Sequence, residues 1–200
     1  MTGSKQPLIV AVQGSPRRGG NTEVLLEAAV RGAQEEGAVV EWVRPNEMKF
    51  VACQHCGGCS ATGICVVKDD MQAVYDLIER MDAMLLASPI YFGSVTAQVK
   101  ALIDRTQALW ARKYLLHQSL SADGKLRPLL FLSVLGGHSQ GQIRATRQVV
   151  RAFVDTWDGP YEDLIFPRID VQGEIADHWT ALPQAHAAGQ ELAVRLQHGG

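Results

Sequence analysis

Short, largely apolar runs recur along this chain, and each leads through a polar loop to apolar residues at helical spacing. Leu8-Ile9-Val10-Ala11-Val12 is the first run, Val39–Val43 the second, Ala83–Ala87 the third and Leu129–Val134 the fourth. A fifth begins at Leu164-Ile165-Phe166. Ala83–Ala87 is unbroken, as suits a strand of a parallel sheet covered on both faces. Val24, Leu25, Ala28, Ala29 and Gly32 fall on one face of a helix beginning near Glu23, with Gly37 as its stop. Val74, Leu77, Ile78 and Met81 mark a second helix, for which Asp69 is the expected N-cap. Val95, Val99, Leu102, Thr106 and Leu109 mark a third, and Ile143, Thr146, Val150, Phe153 and Trp157 a fourth. Ala185, Ala188, Leu192 and Leu196 mark the last. Residues 46–68 and 112–127 carry neither period and read as irregular. Pro45 ends the second strand, and Pro167 places the far end of the fifth at a sheet edge.

Five strands alternating with helices predict an α/β three-layer sandwich around one five-stranded parallel sheet, in the order 2-1-3-4-5. No repeat, linker or low-complexity segment divides the chain. Residues 1–200 therefore read as one domain, with the segment 46–68 inserted after strand 2. In such sheets ligands bind beyond the carboxyl ends of the strands, at the switch point between strands 1 and 3. The loops after those two strands here are rich in glycine and polar residues.

Composition narrows the partners. The chain has 200 residues, 46% of them hydrophobic, which is ample for a core. A net charge of −2 gives no reason to expect nucleic acid or an acidic membrane. No apolar run approaches the ~18 residues of a membrane helix. The opening Met1–Pro7 is polar and lacks a signal-peptide core, so the cytoplasm is the expected compartment.

Gly14-Ser15-Pro16-Arg17-Arg18-Gly19-Gly20-Asn21-Thr22 joins strand 1 to the first helix. A polar glycine loop opening a helix offers unpaired N–H groups and a positive dipole end to a phosphate. Gly14, Gly19 and Gly20 would let backbone approach the anion. Ser15, Asn21 and Thr22 would supply side-chain donors, and Arg17 or Arg18 a charge-assisted bond. The loop is neither G-x-G-x-x-G nor a P-loop. After strand 3 comes Ser88-Pro89-Ile90-Tyr91-Phe92-Gly93-Ser94, and Lys100-Ala101-Leu102-Ile103-Asp104-Arg105 follows in the next helix. Together these stretches resemble the NADPH-dependent FMN reductase family, which is flavodoxin-like, over roughly residues 8 to 135. The resemblance implies FMN, with its phosphate on Ser15, Arg17, Asn21 and Thr22. Pro89, Ile90, Tyr91, Phe92 and Gly93 would wall the ring, with Gly136 and Gly137 on its other side. Lys100 and Asp104 read as an i,i+4 surface pair, and His138 as a solvated loop histidine.

All four cysteines fall in Cys53-x2-Cys56-x2-Cys59-x5-Cys65. So compact a set suits a local site better than a secreted disulfide framework. Four thiols at this spacing can surround a cubane iron–sulfur cluster, and Gly57, Gly58 and Gly63 would let the chain wrap it. Zinc, or free thiols and disulfides, are the other readings. The full pattern, with Val66-Val67-Lys68-Asp69-Asp70-Met71, resembles the iron-sulfur flavoprotein branch of the same family. That resemblance implies a [4Fe-4S] cluster on Cys53, Cys56, Cys59 and Cys65.

The expected function is FMN-dependent electron transfer from NAD(P)H or a ferredoxin-like carrier, through FMN, to the cluster and a small acceptor such as a quinone. No acid–base catalytic residue stands out. A plain NAD(P)H-dependent FMN or quinone reductase with structural or redox-sensing cysteines is one alternative. A non-enzymatic FMN- or zinc-based sensor or carrier is another. Trp110, Tyr114, Leu115 and Leu116 form an apolar group larger than a solvated loop needs, which predicts a homodimer or homotetramer.

Overall fold

The computed structural model describes residues 6–198, so most of the polar opening read above lies outside the described residues. Five strands pair in the order β2-β1-β3-β4-β5. They are β1 (Leu8–Gln13), β2 (Val39–Val43), β3 (Ala83–Ala87), β4 (Leu129–Leu135) and β5 (Tyr161–Pro167), and every pairing is parallel. All residues of β3 and β4 are buried, which accounts for the unbroken apolar run of β3 and for a run in β4 interrupted only by Ser133. The edge strands β2 and β5 are only partly covered.

The strands split their side chains between two cores. Ile9, Ala11, Leu85, Leu130 and Leu132 point to one face. There they meet α1 (Asn21–Glu35) and α6 (Ala181–Gln197). Val10, Val12, Met84, Leu86 and Phe131 point to the other, against α2 (Met71–Arg80), α3 (Ala97–Arg105) and α5 (Gln140–Val154). The alternation follows from the two-residue period of a strand. It gives the three layers and the strand order that the sequence predicts.

Four local expectations change. Helix α1 begins at Asn21, with Gly20 at its N-cap and no side-chain cap. Asp70, not Asp69, precedes α2, while the Asp69 carboxylate accepts the Met71 N–H at 3.2 Å from just outside the helix. The third helical pattern is broken at Thr106, whose hydroxyl donates to the Ile103 carbonyl at 2.7 Å and loosens the ladder. A short α4 (Gln107–Trp110) and a π-helical turn (Ala111–Leu115) follow. Finally, β5 starts three residues early, because Tyr161, Glu162 and Asp163 pair with Leu129, Leu130 and Phe131 although their polarity hides the strand.

Candidate functional site

Beyond the carboxyl ends of β1, β3 and β4 lies one pocket lined by Ser15, Arg17, Gly20, Asn21, Thr22, Pro89, Ile90, Tyr91, Val134, Leu135, Gly136, Ile169, Asp170 and Gln172. Its floor is the first turn of α1. The Ser15 hydroxyl accepts the Arg17 N–H at 3.1 Å and folds the loop back. Gly19 takes a left-handed φ of 63° that turns the chain into the helix. Its N–H is taken by the Glu23 carboxylate at 2.7 Å, and Arg44 balances that buried charge at 2.6 Å. Whereas Thr96 and Ser139 cap α3 and α5 with their side chains, nothing caps α1, so its first amides are left to the pocket. An anion fits there on backbone donors, with Arg17 exposed at the rim.

The wall is built by a buried hydroxyl network. The Ser88 hydroxyl accepts the Thr96 N–H at 3.1 Å, the Thr96 hydroxyl donates to the Gly14 carbonyl at 2.7 Å, and the Ser133 hydroxyl donates to the Ser88 carbonyl at 2.6 Å. These bonds tie the ends of β1, β3 and β4 together. Ile90 and Leu135 pack with Ile143 behind the wall and leave an apolar surface for a flat ring.

Not every expected residue reaches the pocket. Gly14 serves packing and not the anion: a Cβ there would lie 2.7 Å from the Ala87 carbonyl oxygen and 2.3 Å from a Val99 methyl. The Asn21 side chain does not offer its oxygen or its first donor to a ligand. It donates to the Val171 carbonyl at 2.8 Å and accepts the Gly173 and Ile175 N–H groups. Tyr91 and Ser94 exchange backbone hydrogen bonds around Phe92 and Gly93, both with positive φ, as in a tight two-residue turn. That turn aims Phe92 fully into solvent, away from the pocket of its own chain. Gly93 and Gly137 are likewise outside the lining, and His138 is exposed. Lys100 and Asp104 form the expected surface pair at 2.7 Å.

The segment that holds the cysteines leaves the same end of the sheet, after β2. His55, Gly57 and Gly63 adopt left-handed backbone and wind it. The Gly63 N–H returns to the Cys59 carbonyl at 2.8 Å. All four thiols are free and border a single pocket with His55, Gly57, Arg105, Gln107 and Ala108. Among the described residues no three His, Cys, Asp or Glu side chains gather around a single-ion position. Burial pushes the Cys59 thiol up, against its own backbone N–H, and the nearness of Cys65, Cys53 and Cys56 adds to the rise. Burial also works upward on Cys65, but donation from the Val67 N–H, Tyr75 and Arg105 outweighs it and favours the thiolate.

Residues 7–167 match the family model described as NADPH-dependent FMN reductase. The chain belongs to this family. The family's description is the NADPH-dependent reduction of FMN. An iron-sulfur flavoprotein of Archaeoglobus fulgidus is 45% identical over 96 residues, covering 48% of this chain and 44% of that protein. One of Methanosarcina thermophila is 32% identical over 141 residues, 70% of each chain. The chain thus spans under half of the first relative and just over two thirds of the second. The NAD(P)H:quinone oxidoreductase of Methanothermobacter marburgensis has a TM-score of 0.70, covering 94% of this chain and 95% of that one. At 18% identity that likeness concerns the fold alone.

For a chain of this family, the sequence reading missed the wall after β5. Ile169, Asp170 and Gln172 line the pocket, and the Gln172 amide donates to the Arg18 and Gly19 carbonyls. The signal was available in topology, since a fifth parallel strand also ends on the ligand side. Glu23, which holds the Gly19 amide, was legible as an acidic residue in the first turn of α1.

Proposed function

We propose that this protein is an iron-sulfur flavoprotein that passes electrons between NAD(P)H or a small carrier, FMN and a [4Fe-4S] cluster. The observation that carries the reading is the pocket bordered by all four free thiols, on a loop that leaves the sheet at its FMN end. A cubane takes four thiolates and backbone N–H bonds to its sulfurs, and the compact spacing of Cys53, Cys56, Cys59 and Cys65 suits it better than zinc, which usually takes two separated pairs. The names of the Archaeoglobus and Methanosarcina relatives support the same reading.

In this reading each part of the chain has a task. The uncapped first turn of α1 and Arg17 hold the phosphate. Ile90, Tyr91 and Leu135 orient the ring and keep water from one side of it. When bound, FMN supplies two-electron chemistry with a nicotinamide and the cluster supplies single-electron transfer. The acceptor is a small molecule such as a quinone, the compartment the cytoplasm, and residues 1–200 act as one domain.

Protein purified without air tests this. Expected are a flavin spectrum with a broad visible shoulder, and about four irons and four sulfides per chain. Cys59→Ser should abolish the iron and leave FMN in place, because the phosphate loop is separate. One zinc per chain, or a Cys–Cys disulfide in protein that still turns over at full rate, would overturn the cluster. Steady oxidation of NADPH or NADH with a quinone or free FMN separates an enzyme from a sensor.

A further inference from the structure

The least expected residue beside the cysteines is a buried cation. Arg105, the last residue of α3, has its side chain 2% exposed. One of its terminal nitrogens, Nη1, donates to the Asp69 carboxylate at 2.6 Å and to the Val51 carbonyl at 2.8 Å. The other, Nη2, donates to the second Asp69 oxygen at 3.1 Å and lies 3.4 Å from the Cys65 sulfur. Asp69 in turn accepts the N–H groups of Val51 and Met71. The Arg105 carbonyl accepts the Tyr75 hydroxyl at 2.6 Å. One guanidinium thus joins the residue two before Cys53 to the residue four after Cys65, and touches a sulfur between them. The Arg105–Asp69 pair is the closed neck of the cysteine loop.

Stability alone is a poor reason for such a neck. A buried ion pair recovers its desolvation cost only with good geometry, and a packed apolar pair often does as well. The sulfur contact is what an apolar pair could not replace. Four thiolates bring concentrated negative charge to the loop, and a cation at hydrogen-bond distance from one of them offsets part of it. Hydrogen bonds to ligand sulfurs and nearby charge are what tune a cluster. The planar fork of arginine reaches carboxylate, carbonyl and sulfur at once, whereas a lysine ammonium has one centre.

We propose that Arg105 is the positioning residue of the cysteine loop. It closes the neck through Asp69 and Val51, and donates to the Cys65 sulfur, so that the fourth thiolate is held in place and electrostatically balanced when the cluster is bound. The inference rests on the cluster reading above and adds to it the residue that sets the cluster's retention and potential.

The test compares the full chain, reconstituted with iron and sulfide without air, with Arg105→Gln and Arg105→Lys. Iron release to a chelator and the cluster's midpoint potential are measured, with FMN titration as the check on folding. Arg105→Gln should release iron about tenfold faster, as loss of a charge-assisted bond implies. Its retained cluster should have a lower potential, because reduction then adds charge with no cation beside it. Arg105→Lys keeps the charge and loses the fork, so its release should rise while its potential stays nearer the parent. If Arg105→Gln fails to fold, Arg105→Met, which also removes the charge, takes its place with the same two readouts and the same expected directions. Parental release and potential in the variants of a four-iron parent would overturn this inference alone. Faster release with an unchanged potential in Arg105→Gln would make Arg105 a structural brace and also overturn it. A parent that takes up no iron would overturn the cluster reading, and this inference with it.

Discussion

At the scale of single residues the glycine-rich loop before α1 divides its labour in a way side-chain chemistry alone does not show. Asn21 looks like a ligand donor and is a staple to the segment 171–175. Arg17 is the exposed cation left at the rim. Arg17→Ala should weaken FMN tenfold to a hundredfold, since a charge-assisted bond contributes about 1.5–3 kcal/mol. Fluorescence titration checks it, and an unchanged affinity would remove Arg17 from the site. The loop motif was readable because backbone amides at a helix start need no particular partner. The role of Asn21 was not, because its partners lie 150 residues and more away.

Among elements, the tightest contact joins α1 to α6. A Cβ on Gly189 would lie 1.9 Å from the Ala29 carbonyl oxygen, and one on Gly32 would lie 2.1 Å from that of His186. Gly→Ala in an open helix adds stability through propensity. Here the neighbour is backbone and cannot yield without moving a helix. Gly189→Ala should therefore destabilise by about 1–3 kcal/mol, as overpacking does. Urea unfolding measures it, and a stabilised variant would refute the close crossing. The apolar periods of both helices were visible along the chain, but the distance between them was not. The break in the third helix had a local sign, Thr106, which the apolar pattern overrode.

For the whole molecule, the charge pattern predicts the response to acid. Burial opposes ionisation of Asp69, but Arg105 and the Val51 and Met71 N–H groups hold its pKa below the usual carboxylate range. Tyr114 and Lys113 do the same for Asp155, and Lys113 and Ser119 for Asp158. Arg127 lowers Asp123 to about 2. Carboxylates with depressed folded pKa values contribute stability above their unfolded value near 4, and lose it as pH falls toward the folded values. Melting temperature should be flat from pH 7 to about 5 and fall between about pH 4 and 2. A midpoint unchanged across that lower range would contradict it.

The same scale holds the assembly. Trp110, Tyr114 and Leu115 remain partly exposed beside one another, with the two rings 5.3 Å apart, although Tyr114 also bonds Asp155. Phe92 stands fully exposed on the turn after β3. We expect these surfaces to be covered in a homodimer or homotetramer. Sedimentation at micromolar concentration checks this, and a monomer there would count against it.

The sequence by itself determined the strand count, the strand order and the end of the sheet to which the glycine-rich loops belong. These follow from local apolar period and from chirality, which act over a few residues at a time. It also carried the cysteine spacing, which is local to thirteen residues of chain. Tertiary structure decided which polar groups are left over for a ligand and which are spent on the fold. Asn21, Gly14 and Phe92 changed role for that reason, and Arg105 acquired one. Each outcome depends on partners brought together by the closed sheet, and the local sequence does not record which distant atom will fill a hydrogen bond.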